Sequence, residues 1–139
     1  GPLQHDRAGR DRYRHPMQWD DSPTGGFTSG DPWLPAVDPV RTNVEAQRDD
    51  PRSTLSLVRD LLTLRRVLGG ELELLDGEPG VLAYARGEHV VAVNTTARLR
   101  SAPANGEIVL ETTPGALTDG VLAPHAGVVT RGLQVTPKG

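Results

Sequence analysis

The chain has 139 residues, of which 36% are hydrophobic, and it carries a formal net charge of −3 with an isoelectric point near 5.8. This length can bury one ordinary core, but it is too short for a complete α/β barrel enzyme, which needs at least ~200 residues. The charge gives no general attraction to nucleic acid or an anionic membrane, no apolar run approaches the ~18 residues that span a bilayer, and the lack of cysteine excludes disulfides and thiolate metal sites.

Residues 1–50 contain frequent proline and glycine and no sustained hydrophobic period, which predicts a long irregular loop. Arginines at 10, 12 and 14 would point to one side if this part were extended. The segment nevertheless holds four of the five aromatic residues of the chain, namely Tyr13, Trp19, Phe27 and Trp33. A composition of this kind is not typical of a disordered tail, so we expect the loop to lie on an apolar surface.

A helix is predicted at about 51–68, because leucine and valine recur there at spacings of three and four residues. Asp50 is the candidate N-cap and Pro51 the first helical residue. The pair Gly69-Gly70 provides the stop and the predicted boundary between two domains, residues 1–70 and 71–139.

Beyond the helix the hydrophobic period changes to two, and turn-forming residues separate short segments. Six strands are predicted, at 71–75, 81–85, 90–94, 97–101, 107–112 and 126–130. Short strands at this spacing indicate an antiparallel sandwich or barrel. The predicted fold class is therefore mixed α and β, with an irregular loop and one helix followed by antiparallel strands.

One motif stands out from this pattern. Residues 9–20 read GRDRYRHPMQWD, which resembles the GRDxxRTPMQWD signature of α-glucosidases in glycoside hydrolase family 13, with His15 in place of the usual threonine. Further blocks resemble those that follow in oligo-1,6-glucosidases and occur in the same order, namely DSP at 21–23, GFT at 26–28, PWLP at 32–35 and NVEAQ at 43–47. Shorter blocks at 84–86, 91–94 and 122–124 are similar to the C-terminal β-domain of that family.

The resemblance implies that this chain is the C-terminal part of such an enzyme. Residues 1–70 would be the remnant of the (β/α)8 barrel, with a barrel-end loop and the last barrel helix, and 71–139 a C-terminal β-sandwich. Gly1-Pro2 in place of an initiating methionine likewise indicates a chain cut from a longer one. The catalytic carboxylates of the family lie upstream, so we expect no catalytic residue here, and we expect the missing barrel and an α-glucoside oligosaccharide as partners.

Arg10 is the one candidate substrate-binding residue. The matching arginine of the family reaches the glucose pocket, and a guanidinium offers five fixed donors to sugar hydroxyls or catalytic carboxylates. The alternative for Arg10 is a structural ion pair, with the neighbouring Asp11 as the candidate partner. Scaffold roles are expected for the other motif residues, Arg14, Gln18, Trp19 and Asp20, and Phe27 and Trp33 are expected to anchor the loop by apolar burial.

Other sites are not indicated. The acidic pairs Asp20-Asp21 and Asp49-Asp50 are poor candidates for a catalytic pair, because neighbours in an extended chain point to opposite faces. The four histidines are too scattered for a metal site, and no phosphate-binding glycine loop is present. We therefore expect no metal, no cofactor, no nucleic-acid partner, no membrane span and a cytoplasmic location.

Two functions stay open at this point. The chain is either the C-terminal portion of an α-glucosidase, inactive by itself, or a stand-alone carbohydrate-binding or interaction module. Sugar-binding β-modules usually present aromatic platforms, whereas Tyr84 is the only aromatic residue after position 33, which argues against the second function for the β half.

Overall fold

The computed structural model describes residues 9–135, and the side chains of all of these except 104, 105 and 133–135. The predicted domains 1–70 and 71–139 therefore extend beyond the described residues at both ends, and His5 lies outside them as well. The chain divides into two compact units, one ending at Leu57 and the other beginning at Val58. The domain boundary predicted at Gly69-Gly70 stays a prediction.

The described part of the first unit is built mainly from turns. It contains one 3-10 turn at Asp11–Tyr13 and a short helix, α1, at Val44–Arg48. The prediction of an irregular loop without any helix is wrong at α1. Asn43 caps this helix, because its side-chain oxygen accepts a hydrogen bond from the backbone N–H of Ala46 at 2.7 Å.

The second helix, α2, spans Thr54–Val67, close to the predicted 51–68. The predicted start is wrong, because Ser53 is the N-cap and its Oγ accepts from the N–H of Ser56 at 3.1 Å. The Asp50 carboxylate accepts instead from the N–H of Arg52 at 2.8 Å, which closes a turn before the helix. No side chain of α2 is buried, and no helix within residues 9–135 is both long and apolar enough to cross a membrane.

The strands form two antiparallel sheets. In chain order they are β1 (Leu72–Leu74), β2 (Val81–Arg86), β3 (His89–Asn94), β4 (Arg100–Ser101), β5 (Ala104–Glu111), β6 (Leu117–Thr118), β7 (Val121–Leu122) and β8 (Gly127–Val135). One sheet has the order β1-β2-β3-β8-β5 and the other the order β4-β7-β6. The mixed fold class with antiparallel strands is thus confirmed, whereas its finer assignment to a barrel end and a C-terminal sandwich stays a prediction.

The core of the second unit lies where small side chains of the large sheet meet leucine from the small one. Ala83, Ala92 and Val128 pack with Leu122 of β7, and each of the four is at most 3% exposed. Alanine on two neighbouring strands lets the leucine approach the sheet closely, which suits the dense packing of protein interiors.

The sequence-based prediction missed two strands of the small sheet, β6 and β7. A two-residue turn, Asp119-Gly120, connects β6 to β7, and both residues have positive φ, 49° and 76°. Positive φ at both central positions is the type I′ hairpin turn that Asp-Gly favours. The dipeptide was the signal for this hairpin, whose strands β6 and β7 are not among the six predicted ones.

The strand predicted at 97–101 is shorter than expected and spans only Arg100–Ser101. The reason is that the side chain of Asn94 holds residues 95–98 in a turn. Asn94 is 1% exposed, and its Oδ1 accepts from the N–H and hydroxyl of Thr96 at 2.9 and 2.8 Å. Its amide donates to the carbonyls of Arg98 and Ala123 at 2.7 and 2.9 Å. One buried side chain therefore joins β3 to the turn at 95–98 and to the end of β7.

We predict that Asn94→Ala lowers the free energy of unfolding of the chain by about 3 kcal/mol, because the substitution leaves several buried polar groups without partners. The measurement is urea unfolding followed by circular dichroism. Thr95→Ala is the control, since the exposed Thr95 hydroxyl makes one bond, to the Gly80 carbonyl at 2.8 Å. Equal destabilisation by the two variants would contradict the central role of Asn94.

Candidate functional site

The motif segment begins with a tight turn. Gly9 has a φ of +66°, and the 3-10 turn that follows is closed by hydrogen bonds from Tyr13 N to Arg10 O and from Arg14 N to Asp11 O, both 3.0 Å. The expectation that Arg10, Arg12 and Arg14 share one side of an extended segment is therefore wrong. In a 3-10 turn, residues three apart align and residues two apart do not.

Arg10 lies at the start of this turn with an exposed side chain. The carboxylate of Asp11 lies 3.9 Å from the guanidinium of Arg14, a partly exposed pair of small energetic value. Arg12 lies over the ring of Tyr13 at 4.7 Å from its centroid. The substrate contact of Arg10 stays a prediction.

Gln18 connects the motif to a segment about 20 residues downstream. Its Oε1 accepts from the N–H of Val37 at 3.1 Å, and its Nε2 donates to the carbonyl of Thr42. Its backbone carbonyl accepts from Val44 N at 2.9 Å, at the first residue of α1. Gln18 therefore has the scaffold role expected of it.

A second set of hydrogen bonds closes the turn that follows the motif. The carboxylate of Asp20 accepts from both the N–H and the hydroxyl of Ser22, at 2.9 and 2.5 Å, and Ser22 Oγ in turn accepts from Gly26 N at 2.8 Å. The two bonds from Ser22 stabilise the charged carboxylate and so hold the pKa of Asp20 below its ordinary value, and the bond from the hydroxyl has the larger effect. Gly26 has a φ of +62°, and a Cβ there would lie 2.3 Å from Asp20 Oδ2, so this position requires glycine.

The aromatic side chains of the first unit are exposed. Tyr13, Trp19, Phe27 and Trp33 are 74%, 51%, 55% and 69% exposed, and in the described part of this unit Leu34 is the one buried apolar side chain. The expected burial of Phe27 and Trp33 is therefore wrong within this chain. Hydrogen bonds, rather than an apolar core, hold the described part of the unit together.

The remaining polar groups of the motif region make hydrogen bonds within the chain. His15 Nδ1 lies 2.8 Å from the carbonyl of Pro35, so this departure from the usual motif makes a hydrogen bond between segments. Among the described residues, no three His, Asp or Glu side chains come together as metal ligands. The carboxylates of Asp20 and Asp50 each accept a hydrogen bond that closes a turn.

Comparison with known proteins identifies the class to which this motif belongs. Residues 3–69 match the model of the alpha-amylase family, described as the alpha amylase catalytic domain. The oligo-1,6-glucosidase of Parageobacillus thermoglucosidasius is 41% identical over 85 residues, which cover 56% of this chain and 15% of that protein. The trehalose synthase/amylase TreS of Mycobacterium tuberculosis is 36% identical over 143 positions, which cover 86% of this chain and 23% of that protein.

A solved structure gives the same assignment. The isomaltulose synthase PalI of Klebsiella sp. LX3 matches with a TM-score of 0.75 and 27% identity, over 88% of this chain and 25% of that one. The resemblance of this chain to the alpha-amylase family, glycoside hydrolase family 13, is thus supported over residues 3–69. The resemblance to its α-glucosidases is confirmed, and the chain spans only 15 to 25% of the length of these three proteins.

The low pKa of Asp20 predicts how the 20–26 turn responds to acid. A depressed carboxyl pKa stabilises the folded turn fully above the ordinary aspartate pKa of about 3.9, and this contribution is lost as the pH falls through the lower folded value. We expect the amides of Ser22 and Gly26 to keep their protection from hydrogen exchange, relative to an unstructured peptide, until the pH is below about 3.9.

Asp20→Asn is the matched control for this titration. Its neutral carbonyl oxygen can still accept from Ser22, so protection in the variant should show no step in the acidic range. A step above pH ~3.9 in the parent, or the same step in the variant, would contradict the assignment to Asp20.

Proposed function

We propose that the chain is the C-terminal portion of an α-glucosidase that hydrolyses α-glucosidic bonds in oligosaccharides by a retaining mechanism. In this proposal the first unit and α2 complete a (β/α)8 catalytic barrel, and the two sheets are a stabilising C-terminal β-sandwich. The match to the catalytic-domain model supports it, because that match ends at residue 69, just before β1 begins at Leu72.

The observation that carries the proposal is the exposed apolar surface of the first unit. Four aromatic side chains lie at least half exposed around a segment with little apolar burial of its own. Each aromatic side chain would contribute a few kcal/mol if another part of a catalytic domain covered it. Three apolar side chains of α2, Val58, Leu61 and Leu62, are also exposed, at 45%, 39% and 53%.

The mechanism requires groups that this chain does not supply. Retaining hydrolysis uses a nucleophilic carboxylate and an acid/base carboxylate about 5 Å apart on opposite sides of the glycosidic bond. In the proposed enzyme both come from the preceding part of the barrel. Arg10 would contribute one wall of the pocket, where its guanidinium can donate to glucose hydroxyls or hold a catalytic carboxylate in its charged form.

One observation favours the alternative, a stand-alone carbohydrate-binding module. Tyr13 and Trp33 are 74% and 69% exposed, and exposed aromatic rings can serve as platforms for sugars. These residues lie, however, inside the segment that matches a catalytic domain. Burial against the rest of that domain accounts for the same exposure, so we favour the α-glucosidase.

We predict that the purified 139-residue chain neither turns over an aryl α-glucoside nor binds maltotriose or isomaltose in calorimetric titrations. The longer protein that contains it should hydrolyse or rearrange at least one of isomaltose, maltose, sucrose and trehalose. Turnover by the chain alone would contradict the proposal. Saturable binding by the chain alone, with an inactive longer protein, would favour the module.

Arg10→Ala in the longer protein should reduce kcat/KM by about 30-fold to several thousand-fold. The physical reason is that a polar partner is left unpaired in a partly desolvated pocket, at a cost of ~2–5 kcal/mol. Arg10→Lys should recover only part of this loss, because a flexible point charge cannot replace the planar fork of donors. Steady-state kinetics together with the Tm of each variant measure both effects.

Arg12→Ala is the matched control, because Arg12 belongs to the same turn and its guanidinium lies on the ring of Tyr13. Its kcat/KM should stay within a few-fold of the parent. A structural role for Arg10 gives a different result, in which Arg10→Ala lowers Tm and leaves kcat/KM of the folded enzyme nearly unchanged. That result would remove the proposed substrate contact.

A further inference from the structure

Tyr13 and Arg10 lie at the two ends of the same 3-10 turn. The backbone N–H of Tyr13 donates to the carbonyl of Arg10 at 3.0 Å, and this bond closes the turn. Side chains three residues apart align in a 3-10 helix, and the rise of about 2 Å per residue separates them by roughly 6 Å along the axis. The ring of Tyr13 is therefore on the same side of the turn as Arg10, about the length of one sugar unit away from it.

Tyr13 is the most exposed aromatic residue in the described part of the first unit. It is 74% exposed, although the guanidinium of Arg12 lies over its ring at 4.7 Å from the centroid. The guanidinium covers one face, so the exposed surface belongs mainly to the opposite face and to the ring edge. An open aromatic face can stack on the C–H groups of a pyranose ring.

The neighbouring charge distinguishes Tyr13 from the other exposed aromatic residues, Trp19, Phe27 and Trp33. Arg12 is itself exposed, and a cation that an apolar wall covers loses its hydration without gaining a partner. The phenolic hydroxyl of Tyr13 also needs water or a polar partner. At the mouth of a sugar pocket, the rest of the catalytic domain covers such a ring only in part, and the hydroxyl-rich substrate covers the remainder.

We infer that Tyr13 is a specificity-determining residue of the proposed α-glucosidase, and that its ring stacks on the sugar unit next to the glucose that Arg10 contacts. This inference rests on the proposed function. The stacked unit is the one that leaves when the glycosidic bond is broken. A disaccharide or longer α-glucoside therefore gains a contact that a glucose with a small leaving group lacks.

The test uses two substrates of the longer protein that differ in this unit. One is the disaccharide that the protein cleaves fastest, and the other is α-glucosyl fluoride, whose leaving group is too small to reach Tyr13. The readout is the ratio of the two kcat/KM values, disaccharide over fluoride. Tyr13→Ala should lower this ratio by about 10-fold, which corresponds to ~1.4 kcal/mol. Tyr13→Phe should keep the ratio within about two-fold of the parent, because the ring remains.

Met17→Ala is the matched control, because Met17 is an apolar residue of the same motif and is 53% exposed. Its ratio should equal that of the parent, since loss of apolar surface away from the sugar affects both substrates alike. The Tm of every variant is measured together with the kinetics. If Tyr13→Ala prevents folding, Tyr13→Leu takes its place, because leucine keeps apolar bulk without an aromatic face, and the same reduction is expected.

An unchanged ratio in a folded Tyr13 variant without the ring would overturn the inference and leave the proposed function standing. An equal loss on both substrates, together with a lower Tm, would also overturn it, because a structural role has this result. A longer protein that turns over neither substrate would refute the proposed function, and calorimetric titration then decides the inference. Weaker binding of the disaccharide by Tyr13→Ala, with unchanged binding of glucose, would uphold the stacking contact, whereas unchanged binding of both sugars would overturn it.

Discussion

The side-chain amide of Gln18 is the constraint on which the arrangement of the first unit depends. It bonds to backbone groups 19 and 24 residues away in the sequence, those of Val37 and Thr42, while the Gln18 carbonyl meets the start of α1. A glutamine amide can donate and accept at the same time, which allows one side chain to hold two positions of an irregular backbone segment. With Leu34 as the one buried apolar side chain of the described unit, such bonds replace a core.

The second unit, in contrast, depends on an apolar core. Its large sheet places alanine and valine against leucine of the small sheet, and the buried amide of Asn94 joins the turn at 95–98 to the end of β7. Here polar bonds complete a core that already exists, whereas in the first unit they hold a segment whose aromatic rings face water. In the proposed enzyme, the first unit would therefore gain more apolar burial from the rest of the catalytic domain than the core of the second unit would.

The sequence predicted those elements whose signal extends over many residues. The apolar period identified α2 and most strands, and the motif at 9–20 identified the family. Three of the errors occurred where one side chain or one tight turn decides the course of the backbone. Ser53 rather than Asp50 caps α2, because both can accept a hydrogen bond and only the fold selects one. The Asn94 side chain shortens β4, and a 3-10 turn separates the arginines that an extended segment would align.

The exposed aromatic residues show why the candidate site could be located but not completed from this chain. Ordering the irregular backbone of the first unit costs conformational entropy at every residue, and hydrogen bonds contribute little net free energy, because water offers the same groups equivalent bonds. Apolar burial is the term that normally balances this cost. The first unit has this apolar surface in Trp19, Phe27 and Trp33 but leaves it in water. In the proposed enzyme, burial of these rings against the rest of the catalytic domain would supply this missing term and would order the motif that carries Arg10.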